Sequence, residues 1–292
     1  MNPYVFMTDS DSDLPFGYVD QLEMTMVYMP YIVDGQEYMD DLGRNGKQKE
    51  YFDNMRAGAA PVTSLLPTGA YLEYFEPCFE KGLDILFVSF SSQLSSTLQN
   101  VYAARDELLE KYPERRMVVV DTLSISAPQS ILILKAHELY RQGKTMDEVA
   151  QWLESNKRRA QAFFTVDDLK YLRRGGRISA VAATVGTMLD LKPIITETKE
   201  GKLVSCDKVQ GRKKALRLLA EKAAENMDDP ENALAVIMHA DAPEDAARLE
   251  TLVRERVPGL KEIQTWFVGP VIGAHCGPGT VAICFFGKER AV

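Results

Sequence analysis

Short runs of wholly apolar residues alternate along this chain with longer stretches in which apolar residues recur every three or four positions. These are the signatures of buried strands and of helices with one apolar face. Tyr4 to Met7, Ile85 to Ser89 and Met117 to Val120 are runs of the first kind. Between them, Ser96 to Tyr112 places Leu98, Val101, Tyr102, Leu108 and Leu109 on one side of a helix. Pro128 to Arg141 predicts a second helix, with Gly143 where a C-cap glycine belongs. Thr145 and Glu148 form a capping box that opens a third, running to about Lys157. Strand–helix–strand order with fully apolar strands predicts a parallel sheet covered on both faces, and so an α/β fold.

A second region begins near Gln161. Ala162 to Val166 predicts a strand, Asp167 to Arg174 a helix stopped by Gly175-Gly176, and Ile178 to Leu191 another helix. Pro193 to Val209 reads as a hairpin turning at Glu200-Gly201. A long helix follows over Arg212 to Asn226, then strands at Leu234 to Met238, Ile263 to Val268 and Val281 to Phe286. This predicts two α/β domains, residues 1–160 and 161–292. No repeat or low-complexity linker marks the boundary, so the pattern leaves room for the chain to cross between domains more than once.

Composition narrows the function classes. The chain has 292 residues, 46% of them hydrophobic, enough for a full core. Its net charge of -8 argues against nucleic acid, whose phosphates demand a basic face, and against tight docking to anionic membranes. No apolar run is long enough to span a bilayer, so stable membrane insertion is not expected. Met1 to Ser10 lacks the basic and apolar regions of a signal peptide, which leads to the expectation of a cytoplasmic chain. Cys78, Cys206, Cys276 and Cys284 are scattered without a CxxC and read as reduced thiols, forming neither a disulfide framework nor a zinc site.

Catalytic signatures are sparse. GxSxG, HExxH, GxxxxGK[ST] and GxGxxG are all absent. His137 lies in an apolar helix and reads as structural, and His239 ends a strand, where packing or a local hydrogen bond accounts for it. The loop with Asp9, Asp11 and Asp13 resembles the opening of a calcium loop. Leu14 replaces its turn glycine and Asp20 its bidentate Glu, which leaves a strand-to-helix loop with capping carboxylates. Three stretches stand out. Pro61 to Pro67 carries hydroxyls in a proline-bracketed loop. Ser91 to Thr97 leaves a strand and opens a helix, whose amino end suits an anion. Gly269 to Gly279 sets an unusual backbone of glycines and prolines around His275.

Together, and in order, these stretches resemble the DegV family. The resemblance rests on Thr8-Asp9-Ser10-Asp11-Ser12-Asp13-Leu14-Pro15, Thr63-Ser64-Leu65-Leu66-Pro67-Thr68 and Ser91-Ser92-Gln93-Leu94-Ser95-Ser96-Thr97. It continues through Leu169 to Ser179, Leu189 to Pro193 and Gly269 to Gly279, covering essentially the whole chain. It implies two α/β domains with a lipid between them, as in the FakB subunit of bacterial fatty acid kinase. Such a subunit holds a long-chain fatty acid while a separate ATP-binding kinase subunit phosphorylates its carboxylate. The carboxylate-binding groups then fall on Thr63, Ser95 and His275, with Ser64 and Ser96 beside them. The fatty acid is a ligand, and no cofactor, metal or catalytic residue is implied. Basic residues cluster at Arg173, Arg174 and Arg177 and again at Arg212, and are candidates for the surface that docks the kinase. Two departures from the pattern bear on this. Gln93 and Ser96 replace both glycines of the serine-rich motif, and Gln210 stands where many kinase-coupled relatives have Arg, with Arg212 nearby. The rival readings are a serine acyl hydrolase using Ser95 or Ser92 with His275 and an interaction module without a small-molecule ligand.

Overall fold

The computed structural model describes residues 3–177 and 191–292. The chain opens with strand β1 (Tyr4–Asp9), helix α1 (Phe16–Leu22), β2 (Thr25–Val27), β3 (Pro30–Val33) and β4 (Gln36–Met39). Helix α2 (Gln48–Arg56), β5 (Val62–Thr63), α3 (Thr68–Glu80), β6 (Asp84–Ser89), α4 (Thr97–Lys111) and β7 (Met117–Asp121) follow. Next come α5 (Ala127–Arg141), α6 (Met146–Asn156), β8 (Ala160–Thr165), α7 (Lys170–Arg174), β9 (Leu191–Glu197) and β10 (Leu203–Gln210). The last elements are α8 (Arg212–Asn226), β11 (Leu234–His239), α9 (Pro243–Arg256), β12 (Glu262–Phe267), α10 (Pro270–Cys276) and β13 (Val281–Phe286).

Among the described residues the strands form three sheets. The first, in the order β2-β1-β6-β7, is parallel throughout. Its central strand β6 is apolar on both faces because helices cover both, and Ile85 to Val88 are fully buried. The second has the order β10-β9-β8-β13-β11-β12 and is antiparallel except where β11 meets β12. The α/β class with a parallel sheet flanked by helices is therefore present, beside a largely antiparallel sheet. The third sheet, β4-β3-β5, is small and was not legible in the hydrophobic pattern, because β4 is exposed along its whole length.

The two faces of the six-stranded sheet have separate cores. Phe163, Ile194, Ile237, Ile283 and Phe285 face α8 and α9. Ala162, Met238, Ala282 and Cys284 face the amino-terminal half of the chain, beside Ile131 and Met26. Alternation along each strand thus assigns every second residue to the seam between the sheets.

Three local expectations need correction. Helix α7 is shorter than predicted and begins at Lys170. The Asp9 to Asp13 carboxylates do not cap α1, whose N-cap is Pro15; they are buried and tie other segments together. Gly269 to Gly279 is not irregular throughout, since Pro270 sits in the first turn of α10, where its missing N–H is harmless. The helix expected over residues 178–191 lies outside the described residues up to 190, and Leu191 opens β9.

Candidate functional site

A cavity of about 380 Å³ lies in the seam between the sheets. That is within the usual size range of small-molecule sites, roughly 300–1,000 Å³. Its wall is mostly apolar, with Met29, Phe90, Phe164, Leu172, Met238 and Val268 among the contributors. Polar groups gather at one end, where Thr63, Ser64, Ser95, Ser96, Thr97, Arg177 and His275 meet. All five residues expected to surround a carboxylate therefore line this one cavity, although they come from three separate stretches of chain.

Each polar group is positioned by its backbone. Strand β5 pairs with β3, placing Thr63 opposite Tyr31 and turning its hydroxyl toward α10. Thr63 Oγ1 and His275 Nε2 are 3.0 Å apart. The other imidazole nitrogen, Nδ1, is buried and has no hydrogen-bond partner. A bare acceptor left unpaired is less unfavourable than an unpaired N–H, so the proton belongs on Nε2. Nε2–H then donates to Thr63 and leaves the Thr63 hydroxyl proton free to donate onward. Burial, with Arg177 and Arg174 nearby, lowers the His275 pKa to about 4, so the ring is neutral at ordinary pH.

The ring fits only because Gly175 has no side chain. A Cβ there would stand 2.2 Å from His275 Nδ1. Gly277, at φ +77, ends α10 and would meet the Tyr171 ring if it carried a Cβ. Asp13 fixes the other end of α10. Its Oδ1 accepts from Gly269 N at 2.9 Å and its Oδ2 from Ser126 Oγ at 2.5 Å. Burial raises Asp13 to about 7, against the lowering effect of these bonds.

In the serine-rich stretch, Ser96 is the N-cap of α4 but makes no side-chain cap bond. Ser95 Oγ lies 2.9 Å from Thr97 Oγ1 and accepts from Thr97 N at 3.3 Å. Arg177 pins this loop by donating to the Leu94 carbonyl at 2.9 and 3.1 Å. It is half-buried and lines the cavity, so it stands apart from the exposed Arg173 and Arg174. Arg174 stacks over Tyr171, 5.4 Å from the ring centre. Arg212 lies elsewhere, held by Asp245 at 2.7 Å and bonded to the Gly279 carbonyl, while Gln210 ends β10 exposed.

This geometry offers neutral donors to an anion and does not bring Ser95 or Ser92 against His275. The partner of His275 is Thr63, and the partner of Ser95 is Thr97. Ser92 Oγ is met by the Gln93 side chain. Cys276 and Cys284 also line the cavity, but burial pushes both thiols up, Cys276 to about 12, which disfavours the reactive thiolate. His137 packs edge-on against Phe6, and His239 Nδ1 accepts from Ala242 N at 3.2 Å; both behave as structural residues. No group of His, Cys, Asp or Glu among the described residues is arranged to hold a metal ion.

Residues 5–288 match the family described as "Uncharacterised protein, DegV family". This chain belongs to the DegV family. A DegV domain-containing protein of Clostridium perfringens is 37% identical to it over 290 residues, covering 99% of each chain. A fatty-acid-binding DegV family protein from Thermus thermophilus is 30% identical with a TM-score of 0.86, covering 98% of this chain and 100% of that one. A DegV lipid-binding protein from Thermotoga maritima is 26% identical with a TM-score of 0.85, covering 99% and 100%. The DegV relatives of known structure thus include fatty acid binders that share this chain's whole fold.

Sequence reasoning missed some of the wall. Asp11 lines the cavity with one carboxylate oxygen unpaired, and burial with neighbouring Asp9, Asp40 and Asp13 raises its pKa. Glu197 lines the opposite part and pairs with Arg290 at 2.8 Å, both at most 2% exposed. A partner 93 residues away leaves no local signal in the sequence.

Proposed function

We propose that the cavity holds one long-chain fatty acid, with its carboxylate at Thr63, Ser95 and His275 and its tail along the apolar seam. The observation that carries this reading is a mostly apolar wall with hydroxyls and an imidazole gathered at one end, while the Glu197 carboxylate at the other is already paired with Arg290. The fatty acid binding described for DegV relatives supports it. Burying methylenes contributes about 0.8 kcal/mol each, so a sixteen-carbon tail gains on the order of 10 kcal/mol before ordering costs. The neutral donors at the head offset the penalty of burying a carboxylate.

The reading extends to a carrier role in the cytoplasm. The chain presents the bound carboxylate to a separate ATP-binding kinase subunit and performs no chemistry itself. The exposed Arg173 and Arg174 beside the cavity's polar end support this surface, since Arg174 donates to the Pro61 carbonyl just before Val62-Thr63. Arg177 is better placed to hold the head-group loop than to meet a partner. Arg212, engaged by Asp245, has less freedom to do so than Arg173.

Titration of delipidated protein with palmitic and oleic acid tests the first step; absence of saturable binding rejects it. For the second, Arg173→Glu with Arg174→Glu is expected to weaken acyl-phosphate formation with a cognate kinase subunit while lipid occupancy stays intact. The defect should shrink at high salt, where exposed charges are screened beyond about 8–10 Å. Unchanged turnover at low salt removes these arginines from the docking surface.

A further inference from the structure

The strand register orders the cavity from end to end. Thr280, just before β13, and Ala282 and Cys284 on it line the cavity in sequence. Thr280 donates to the carbonyls of Cys276 and Gly277, next to His275, so β13 leaves the polar end and runs away from it. Cys284 stands opposite Ala162 on β8, and Ala282 opposite Phe164 and Met238. Phe164 pairs with Ile195 on β9, and continuing that register sets Glu197 beside Ala162. Glu197 in turn stands opposite Leu203 on β10. Leu203, Glu197, Ala162 and Cys284 therefore form one row across the sheet, all lining the cavity at the end farthest from His275.

Behind this row the seam is closed by bonds between the two halves of the chain. Glu197 accepts from Ile125 N at 2.9 Å and from Arg290 at 2.8 Å. Arg290 also donates to the carbonyls of Leu123, Thr198 and Ala160. Ser91 Oγ donates to the Gly201 carbonyl at 2.8 Å. Both carboxylate oxygens of Glu197 are thus engaged by protein.

We propose that this row is the chain-length stop of the cavity, with Ala162 and Leu203 determining how long a straight acyl chain fits. The inference rests on the fatty-acid reading and adds which residues set ligand size. A strand advances ~3.3 Å per residue, whereas an extended acyl chain advances roughly 1.3 Å per methylene, the projection of a ~1.5 Å tetrahedral bond. Thr280 to Cys284 therefore spans about 13 Å, room for about ten methylenes beyond those beside the polar end. Side chains in the last row are small at Ala162 and Cys284, and the wall behind them is tied across the seam. A longer tail meets that wall instead of pushing through it.

The experiment equilibrates delipidated wild type, Ala162→Leu and Leu203→Ala with an equimolar mixture of saturated acids from lauric to arachidic. The bound acids are then weighed by native mass spectrometry. Ala162→Leu is expected to shorten the preferred acid by about one to two carbons, because leucine fills part of one ~3.3 Å residue step at roughly 1.3 Å per methylene. Leu203→Ala is expected to admit longer acids without excluding shorter ones. Leu203 lies at a partly exposed hairpin position, so this variant remains informative if Ala162→Leu does not fold. A wild type that binds acids, with a distribution that neither folded variant shifts, overturns the length stop and leaves the fatty-acid reading standing. A wild type that binds none rejects the fatty-acid reading itself.

Discussion

The two ends of the cavity treat polar groups in opposite ways. At the end near α10, hydroxyls and a neutral imidazole bond to one another in short side-chain pairs, and His275 Nδ1 is left without a partner. At the far end, Glu197 and Arg290 are more deeply buried and are bonded to the backbone on both sides of the seam. A buried polar group with its bonding complete is architecture, because breaking it leaves an uncompensated charge. A group whose remaining donor faces a cavity is available to a ligand. The same contrast separates residues whose loss should unfold the protein from those whose loss should only empty it.

The largest expected effect is at the far end. Arg290→Ala strands the buried Glu197 carboxylate and should destabilise the fold by about 3–5 kcal/mol in urea unfolding. By comparison Arg44→Ala, which removes an exposed, solvent-screened pair with Asp20, should leave the urea midpoint nearly unchanged. Equal effects of the two would remove the distinction between the ends.

Thr63→Val and Ser95→Ala come next. Each deletes a hydroxyl donor to a charged acceptor, typically worth about 1.5–3 kcal/mol, so fatty-acid affinity should fall by roughly ten- to a hundredfold. Ser95→Ala should change unfolding stability little, whereas Thr63→Val also strands the Nε2–H of His275 and should cost about 1–3 kcal/mol. For Ser95→Ala, a loss of stability matching the loss of affinity would make that hydroxyl structural.

A further effect, spread over several pH units, concerns Asp13. Asp13 titrates near 7 when folded against an ordinary value of 3.8, raised chiefly by burial. Between those values the folded state holds a proton that the unfolded state has released. The stability it contributes is therefore complete below about pH 4 and declines as pH rises toward 7, by on the order of 1 kcal/mol per unit. Asp13→Asn should lose this component, so its stability relative to wild type should improve across that window. A constant difference between the two proteins from pH 4 to 7 would show that Asp13 does not hold its proton.

Legibility followed burial. The strands β1, β6 and β7 were readable because helices on both faces make them apolar throughout. Strands β3 to β5 were not, since they lie at the surface and carry mixed residues, yet β5 delivers Thr63. Helix α10 read as a loop because prolines and glycines dominate it, although they sit at its ends and at close contacts where helices accept them. His275 was singled out by that composition, and Thr63 was set beside it only through the family resemblance, because 212 residues separate them. Glu197 and Arg290 gave no signal at all, since charged residues default to the surface until a distant partner is known.

The central claim is that one end of this cavity receives a carboxylate and the rest receives its tail. The most direct measurement is native mass spectrometry of the protein purified from bacterial cells, beside Thr63→Val prepared in the same way. One added fatty acid per chain is expected in the wild type, identified after denaturation as a free acid, with lower occupancy in the variant. A wild type that carries no acid and takes up none when it is supplied would contradict it.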